Sequence, residues 1–248
     1  AQYNDLASVQ ELFDANRGEI ACVIVEPVAA NMGVVPPEEG FLQGLRKICD
    51  REGALLIFDE VITGFRVARG GAAQRYGVTP DLAAYGKIVG GGMPLAAYGG
   101  RRDAMSLVAP LGGIYQAGTL SGNPVATAAG LATLRLLREE QGTLYPALEQ
   151  KGAALEAAFS RAGVSVGRVG SVLTPFFTDR APKNYSDALS CNTRAYAVYF
   201  REMLAAGIYV APSQFEAMFL SAAHSAQDIA RTASTIECAC RRAKEEMK

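Results

Sequence analysis

"ALLIFDEVITGFR", residues 54–66, contains an abrupt change of character: Ala54 to Phe58 are apolar, and Asp59 and Glu60 are acids. A five-residue apolar run bounded by Gly53 reads as a buried strand. A carboxylate at the end of such a strand is costly unless a cation or a hydrogen-bond donor meets it. Which cation meets Asp59 is therefore the question on which a functional reading turns.

The flanking sequence supplies the rest of the sheet. Residues 5–16 set Leu6, Val9, Leu12 and Phe13 at helical spacing, Gly18 closes that stretch, and Ile20–Val25 is continuously apolar. Pro36-Pro37-Glu38-Glu39 opens a second helix, with Phe41, Leu42, Leu45, Ile48 and Cys49 on one face and Gly53 beyond its end. A short helix around residues 72–76 leads to apolar runs at 82–85 and 95–98. Uniformly apolar strands separated by helices predict an α/β fold, a mostly parallel sheet with helices on both faces.

The pattern changes near residue 123. Asn123-Pro124 starts a helix running to about residue 140, and a second covers about 144–162. Strands are expected at 164–169 and 172–178, and a helix at 193–206 ending at Gly207. A last helix carries Ile229, Ala233, Ile236, Cys240, Ala243 and Met247 as one stripe. The expected division is 1–137 as part of a large α/β domain and 138–248 as a small α+β domain.

Of 248 residues half are hydrophobic and the formal net charge is −1, enough for sizeable cores and without the basic footprint of a nucleic-acid or anionic-membrane binder. Five scattered cysteines (22, 49, 191, 238, 240) form no disulfide framework, and Cys238 and Cys240 would point to different faces of their helix. One histidine, His224, argues against a zinc site or a Ser-His-Asp triad. No apolar stretch is long enough to cross a bilayer and no signal-peptide pattern stands out, so a reduced, cytoplasmic setting is expected.

Ligands of open α/β sheets bind beyond the carboxyl ends of the strands, where Asp59 stands. The next strand, Leu82–Tyr85, ends in Gly86-Lys87; Lys87 is the single lysine between Lys47 and Lys151, and Gly90-Gly91-Gly92 follow it. A phosphate-binding loop is excluded here, because Asp81 stands where its first glycine belongs and Ile88 where its hydroxyl residue belongs. An acid and a lysine at two strand ends instead suit pyridoxal phosphate. The lysine amine forms a Schiff base with the aldehyde, and the acid pairs with the pyridinium nitrogen. Each residue has a plainer alternative, since a strand-end Asp can cap a helix or join a salt bridge and a lone lysine can be a solvated loop residue.

Four segments add specificity: "VIVEPVAANMGVVPP" (23–37), "LLIFDEVITGFRVARGG" (55–71), "YGVTPDLAAYGKIVGGGMPLAAYGGR" (76–101) and "YQAGTLSGNPVATAAG" (115–130). With "APSQFEAMFLSAAHS" (211–225), they resemble the class III aminotransferase family of pyridoxal phosphate enzymes of fold type I. The resemblance implies a large cofactor-binding domain followed by a small C-terminal α+β domain. It makes Lys87 the Schiff-base lysine and proton shuttle, sets Asp59 on the pyridinium, Val61 against one ring face and Asn31 near the ring's phenolic oxygen. Gly118 and Thr119 would hold the cofactor phosphate of a neighbouring subunit's site, and Glu216 would lie near a small amino-aldehyde substrate. The YQAGTLSGNP and APSQFEA wording favours the branch that moves an amino group within one molecule, using the pyridoxamine form of the cofactor in its cycle. Ordinary ω-aminotransferases, which need an external amino acceptor, are the alternative.

Complete members of that family are much longer. Their upstream half supplies a glycine- and serine-rich phosphate loop and an aromatic residue stacked on the ring, and no such loop precedes residue 20 here. The expectation is a C-terminal portion that works as a homodimer with shared sites, or beside a second chain supplying the other half. A non-catalytic interaction subunit is the reading from a different class.

Overall fold

The computed structural model describes residues 1–246. The chain divides into two compact units: Ala1, Asp5–Pro27 and Glu39–Gln141 form the first, and Gln2–Asn4, Val28–Glu38 and Gly142–Lys248 the second. Residues 28–38, inside the span expected to belong to the large domain, thus pack in the compact unit of the C-terminal part.

The first unit runs α1 (Leu6–Ala15), β1 (Cys22–Val25), α2 (Phe41–Glu52), β2 (Leu55–Glu60), α3 (Gly71–Tyr76), β3 (Leu82–Tyr85), a 3₁₀ turn (Lys87–Gly90), β4 (Ala97–Gly100), α4 (Arg102–Met105) and α5 (Pro124–Glu139). Strand order is β1-β2-β3-β4, with the first three parallel and β4 antiparallel. Local chemistry sets the boundaries. Asp5 caps α1 by accepting from the Ser8 N–H, and Asn123 caps α5 at Val125 and Ala126, with Pro124 in its first position. Gly53 ends α2 at φ +70°, a left-handed position that glycine takes without strain. Strand β4 lies two residues later than the apolar run at 95–98 predicts. Its Gly99 and Gly100 pair with Ala83 and Leu82, and a Cβ on Gly100 would collide with the Asp81 carbonyl.

Register assigns the faces of this sheet. Laterally paired residues point to one side, so Ile24, Ile57 and Leu82 share a face with Asp59, Ala84 and Tyr98. The other face carries Leu56, Phe58, Ala83 and Glu60, all buried. Phe58 and Leu56 are fully enclosed, each contributing about 2–3 kcal/mol by leaving water. On the first face Ile24, in the edge strand β1, is 65% exposed, whereas Ile57, Leu82 and Ala84 are half-buried.

At the amino end of β3, buried Asp81 is closed off by partners. Its carboxylate accepts from the Leu56 N–H at 2.7 Å and pairs with Arg46 at 2.6 Å and Arg101 at 3.1 Å. Burial alone would raise its pKa, but the Leu56 amide and the two guanidiniums outweigh it and hold the carboxyl below its ordinary value.

The second unit comprises α6 (Gln141–Arg161, from Gly142 on), β5 (Ser165–Val169), β6 (Val172–Phe176), α7 (Tyr185–Leu189), α8 (Thr193–Ala205), β7 (Met218–Phe219) and α9 (Ala226–Glu245). Its antiparallel sheet has the order β5-β6-β7, and Gly170 at φ +62° makes the tight turn between the first two strands. A capping box opens α9: Ser225 Oγ accepts from the Asp228 N–H at 3.1 Å, and Asp228 Oδ2 accepts from the Ser225 N–H at 2.8 Å. The stripe expected on this helix faces a core built on Phe159, Leu173, Phe177, Tyr199 and Met203, and buries Ile229, Ile236, Cys240 and Ala243. Met247, its last expected member, lies outside the described residues.

Candidate active site

The two acids that close β2 have opposite fates, and strand alternation is the cause. Glu60 points to the covered face, fully buried, where Oε2 accepts from the Thr63 hydroxyl at 2.7 Å and the Ala72 N–H at 2.8 Å. Its Oε1 accepts from the Ala73 N–H at 2.9 Å. Glu60 thus satisfies the free amides at the start of α3, which is a structural role. Burial, and then the charge of Glu60, push the neighbouring Tyr85 phenol above its ordinary pKa. Tyr85 packs against Phe65 with ring centroids 5.5 Å apart.

Asp59 points to the other face and is half-buried. One backbone donor reaches it, the Val61 N–H at 3.0 Å, and among the described residues it forms no ion pair. Lys87 stands just past the end of the adjacent parallel strand, whose Ala84 is the register partner of Asp59. It is exposed and likewise makes no ion pair among the described residues. Its backbone sits at φ +49°, a left-handed conformation that costs a non-glycine residue roughly 1 kcal/mol or more. Packing holds it there. The turn that Lys87 begins lies on α5, close enough that a Cβ on Gly130 would strike the Val89 carbonyl. A Cβ on Gly86 would press on Val61, whose Cγ1 would lie 3.1 Å away.

A cavity of about 610 Å³ opens beside this face, lined by Val61, Ala84, Tyr98, Gln116 and Gly118 among others. Ala84 and Tyr98 belong to the same cross-strand row as Asp59. Its volume falls in the range of small-molecule sites. Thr119, next to Gly118, is exposed. Among the described residues Asp59 is a carboxylate without a cation and Lys87 an amine without an acid, and with a cavity walled by Val61 and Gly118 on the Asp59 face they fit a cationic ring that also offers a carbon electrophile.

The other two expected site residues lie in the second unit. Asn31 is exposed on a turn closed by paired backbone bonds between Ala29 and Val35, and Glu216 is exposed on the loop before β7. Two links join turn and loop. The Gly33 N–H donates to the Phe215 carbonyl at 2.9 Å; the buried Thr174 hydroxyl accepts from the Val34 N–H at 3.1 Å and donates to the Glu216 carbonyl at 2.9 Å. Buried Gln214 steadies the loop by donating to the Ala188 carbonyl at 3.0 Å. Sequence reading missed Thr174, whose one signal is a lone hydroxyl inside the apolar run 172–177. His224 holds the turn before α9, its Nδ1 accepting from the Ser221 N–H at 3.0 Å.

Among the described residues no cluster of three or more His, Cys, Asp or Glu side chains could hold a metal, and no helix is long and apolar enough to cross a membrane. A sequence-family model, "Aminotransferase class-III", matches residues 2–229. The chain is 55% identical over 238 residues to the glutamate-1-semialdehyde 2,1-aminomutase of Chlorobium phaeovibrioides, covering 94% of this chain and 55% of the relative. It is 54% identical to the protein of that name from Pelotomaculum thermopropionicum, covering 99% of this chain and 58% of the relative. The chain therefore spans about half the length of the curated relatives it matches. Among solved structures, a β-phenylalanine aminotransferase from Variovorax paradoxus superposes with a TM-score of 0.87 at 33% identity, covering 95% of this chain and 55% of that one. A glutamate-1-semialdehyde aminomutase from Pseudomonas aeruginosa PAO1 in complex with PMP gives 0.83 at 28%, covering 96% and 55%.

Proposed function

This chain belongs to the class-III aminotransferase family, and on that premise we propose that it is the catalytic-lysine part of an aminomutase converting glutamate 1-semialdehyde to 5-aminolevulinate, a tetrapyrrole precursor. The observation that carries the reading is the pair Asp59 and Lys87, set at the ends of neighbouring parallel strands without an ion pair among the described residues. The aminomutases at 52–57% identity supply the choice of substrate. Pyridoxal phosphate, when bound, supplies an electron-withdrawing ring that takes up negative charge from a substrate carbon.

This chain's residues do the rest. The Asp59 carboxylate keeps the ring nitrogen protonated, because a nearby anion favours the charged form of a base. Val61 would pack against the ring, and Asn31 would serve its phenolic oxygen. The Lys87 amine would hold the cofactor between turnovers and, once released from it, would move a proton to and from the substrate carbon that bears the nitrogen, and Glu216 would attend the substrate. The amino group leaves one carbon and appears on its neighbour, so the net reaction is an isomerisation. Residues 1–137 would form the second part of the cofactor-binding domain and 138–248 the small domain, in a cytoplasmic enzyme.

Gly118 and Thr119 are assigned to the phosphate of a partner's site in a homodimer. Residues 109–124 support this, since Leu111 and Tyr115 are 82% and 85% exposed, a poor surface for water. Mixing Lys87→Ala protomers with Thr119→Val protomers, each inactive alone, should restore one intact site per mixed dimer. Absence of recovery despite subunit exchange would assign Thr119 to its own subunit's site, consistent with Gly118 and Val61 lining one cavity.

A second reading, external amino transfer, is favoured by the higher structural likeness to the Variovorax paradoxus enzyme. Incubating the full-length holoenzyme with glutamate 1-semialdehyde and no keto acid separates the two. Formation of 5-aminolevulinate is expected; a strict need for a keto acid would assign the transferase.

A further inference from the structure

We infer that Thr174 is a positioning residue that sets the spacing of Asn31 and Glu216, two groups 185 positions apart in sequence; this rests on the reading of both as site residues given above. Thr174 lies in the middle of β6 and is fully buried. Its one hydroxyl is used twice. It accepts the Val34 N–H at 3.1 Å and donates to the Glu216 carbonyl at 2.9 Å, so a single oxygen fixes the exit of the Asn31 turn against the backbone of Glu216 itself. The hydroxyl has one proton to give and lone pairs to receive, which matches this arrangement without a further partner.

The surroundings keep that link in one geometry. At Gly33, φ is +75°, and an added Cβ would lie 2.6 Å from Phe176 Cε1 and 2.7 Å from the Gln214 carbonyl, so turn and loop already meet at backbone distance. The Gly33–Phe215 bond holds the same contact one residue earlier on each strand of chain. Two parallel links resist sliding, and one alone leaves a pivot. Thr174 is therefore the group that converts a hinge into a fixed spacing. The turn and the loop joined in this way carry two exposed polar residues, the amide Asn31 and the carboxylate Glu216.

The test uses the full-length holoenzyme and the variants Thr174→Val, which keeps shape and removes the hydroxyl, and Thr174→Ser, which keeps the hydroxyl. Amide hydrogen exchange is expected to rise in residues 29–35 and 214–217 of Thr174→Val and to stay near wild type in Thr174→Ser. Turnover is expected to follow, with kcat/KM for glutamate 1-semialdehyde falling about tenfold or more, as misplaced substrate-positioning groups do. The absorbance of the bound cofactor should shift in Thr174→Val, because Asn31 is read as the partner of its phenolic oxygen, and Thr174→Ser should restore both the spectrum and the rate. Unchanged exchange in Thr174→Val, or raised exchange with wild-type kinetics, overturns the proposal. A wild-type enzyme inactive on glutamate 1-semialdehyde would overturn the functional reading instead, and the exchange measurement would still decide the link.

Discussion

The two ends of the first sheet handle charge in opposite ways. At the amino end of β3, Asp81 is held by Arg46, Arg101 and the Leu56 amide, so every strong interaction it can make is made within the chain. At the carboxyl ends of β2 and β3, Asp59 keeps one backbone donor and Lys87 carries a strained backbone, and neither has an ion pair among the described residues. Buried charge that is fully paired belongs to stability, whereas charge left open beside a cavity is available for a ligand. The open end is also where α/β sheets bind ligands.

The sharpest way to break this comparison is Lys87→Ala. Turnover should fall on the order of a thousandfold or more, with a melting temperature within about 2 °C of wild type. A large loss of stability would make Lys87 a structural residue. Asp59→Asn comes next: turnover should drop by roughly a hundredfold with circular dichroism unchanged, because an amide cannot hold a ring nitrogen in its charged form. Near-normal turnover would reduce Asp59 to a cap on Val61.

Asp81→Asn should show the reverse profile. Chemical denaturation is expected to report a loss of about 2 kcal/mol, with turnover per folded molecule retained. Glu60→Gln sharpens the contrast from the adjacent position. It should cost about 1 kcal/mol through the amides of Ala72 and Ala73 and leave turnover largely intact. A collapse of turnover would bring Glu60 into the site.

The smallest effect concerns pH. The folded pKa of Asp81 lies below its unfolded value of about 3.9, so its stabilisation is fully present above roughly pH 5. Below that the unfolded chain binds the proton first, and the contribution fades as pH falls through the folded pKa. Urea unfolding of wild type and Asp81→Asn should therefore converge on acidification from about pH 5 to pH 3. A constant gap would mean that the Arg46 and Arg101 pairings do not depend on the ionised carboxylate.

Much of this was legible in residues 54–87. The apolar run 54–58 becomes β2, Leu82–Tyr85 is strand β3 as read, and Asp59 and Lys87 stand at neighbouring strand ends. Elsewhere the pattern misled by small amounts. The apolar residues 95–98 suggested a strand, yet pairing moved it to Ala97–Gly100, because glycines can approach Asp81 and Leu82 where larger residues cannot. The run 28–38 has no period that assigns it to either unit, and its packing with Phe176 and Phe215 is a long-range event.

Strand alternation, read from the sequence by itself, required Asp59 and Glu60 to face opposite sides, and turn chemistry at Gly53 and Asn123 placed the neighbouring helix ends. Which acid would be consumed by structure was decided by the tertiary fold alone. The amides of α3 came to rest on the covered face, where they meet Glu60, and that left Asp59 on the opposite face, whose Ala84 and Tyr98 line the cavity. The reason is physical: periodicity is a property of the local backbone and sets relative orientation, whereas burial depends on which distant element packs on which face.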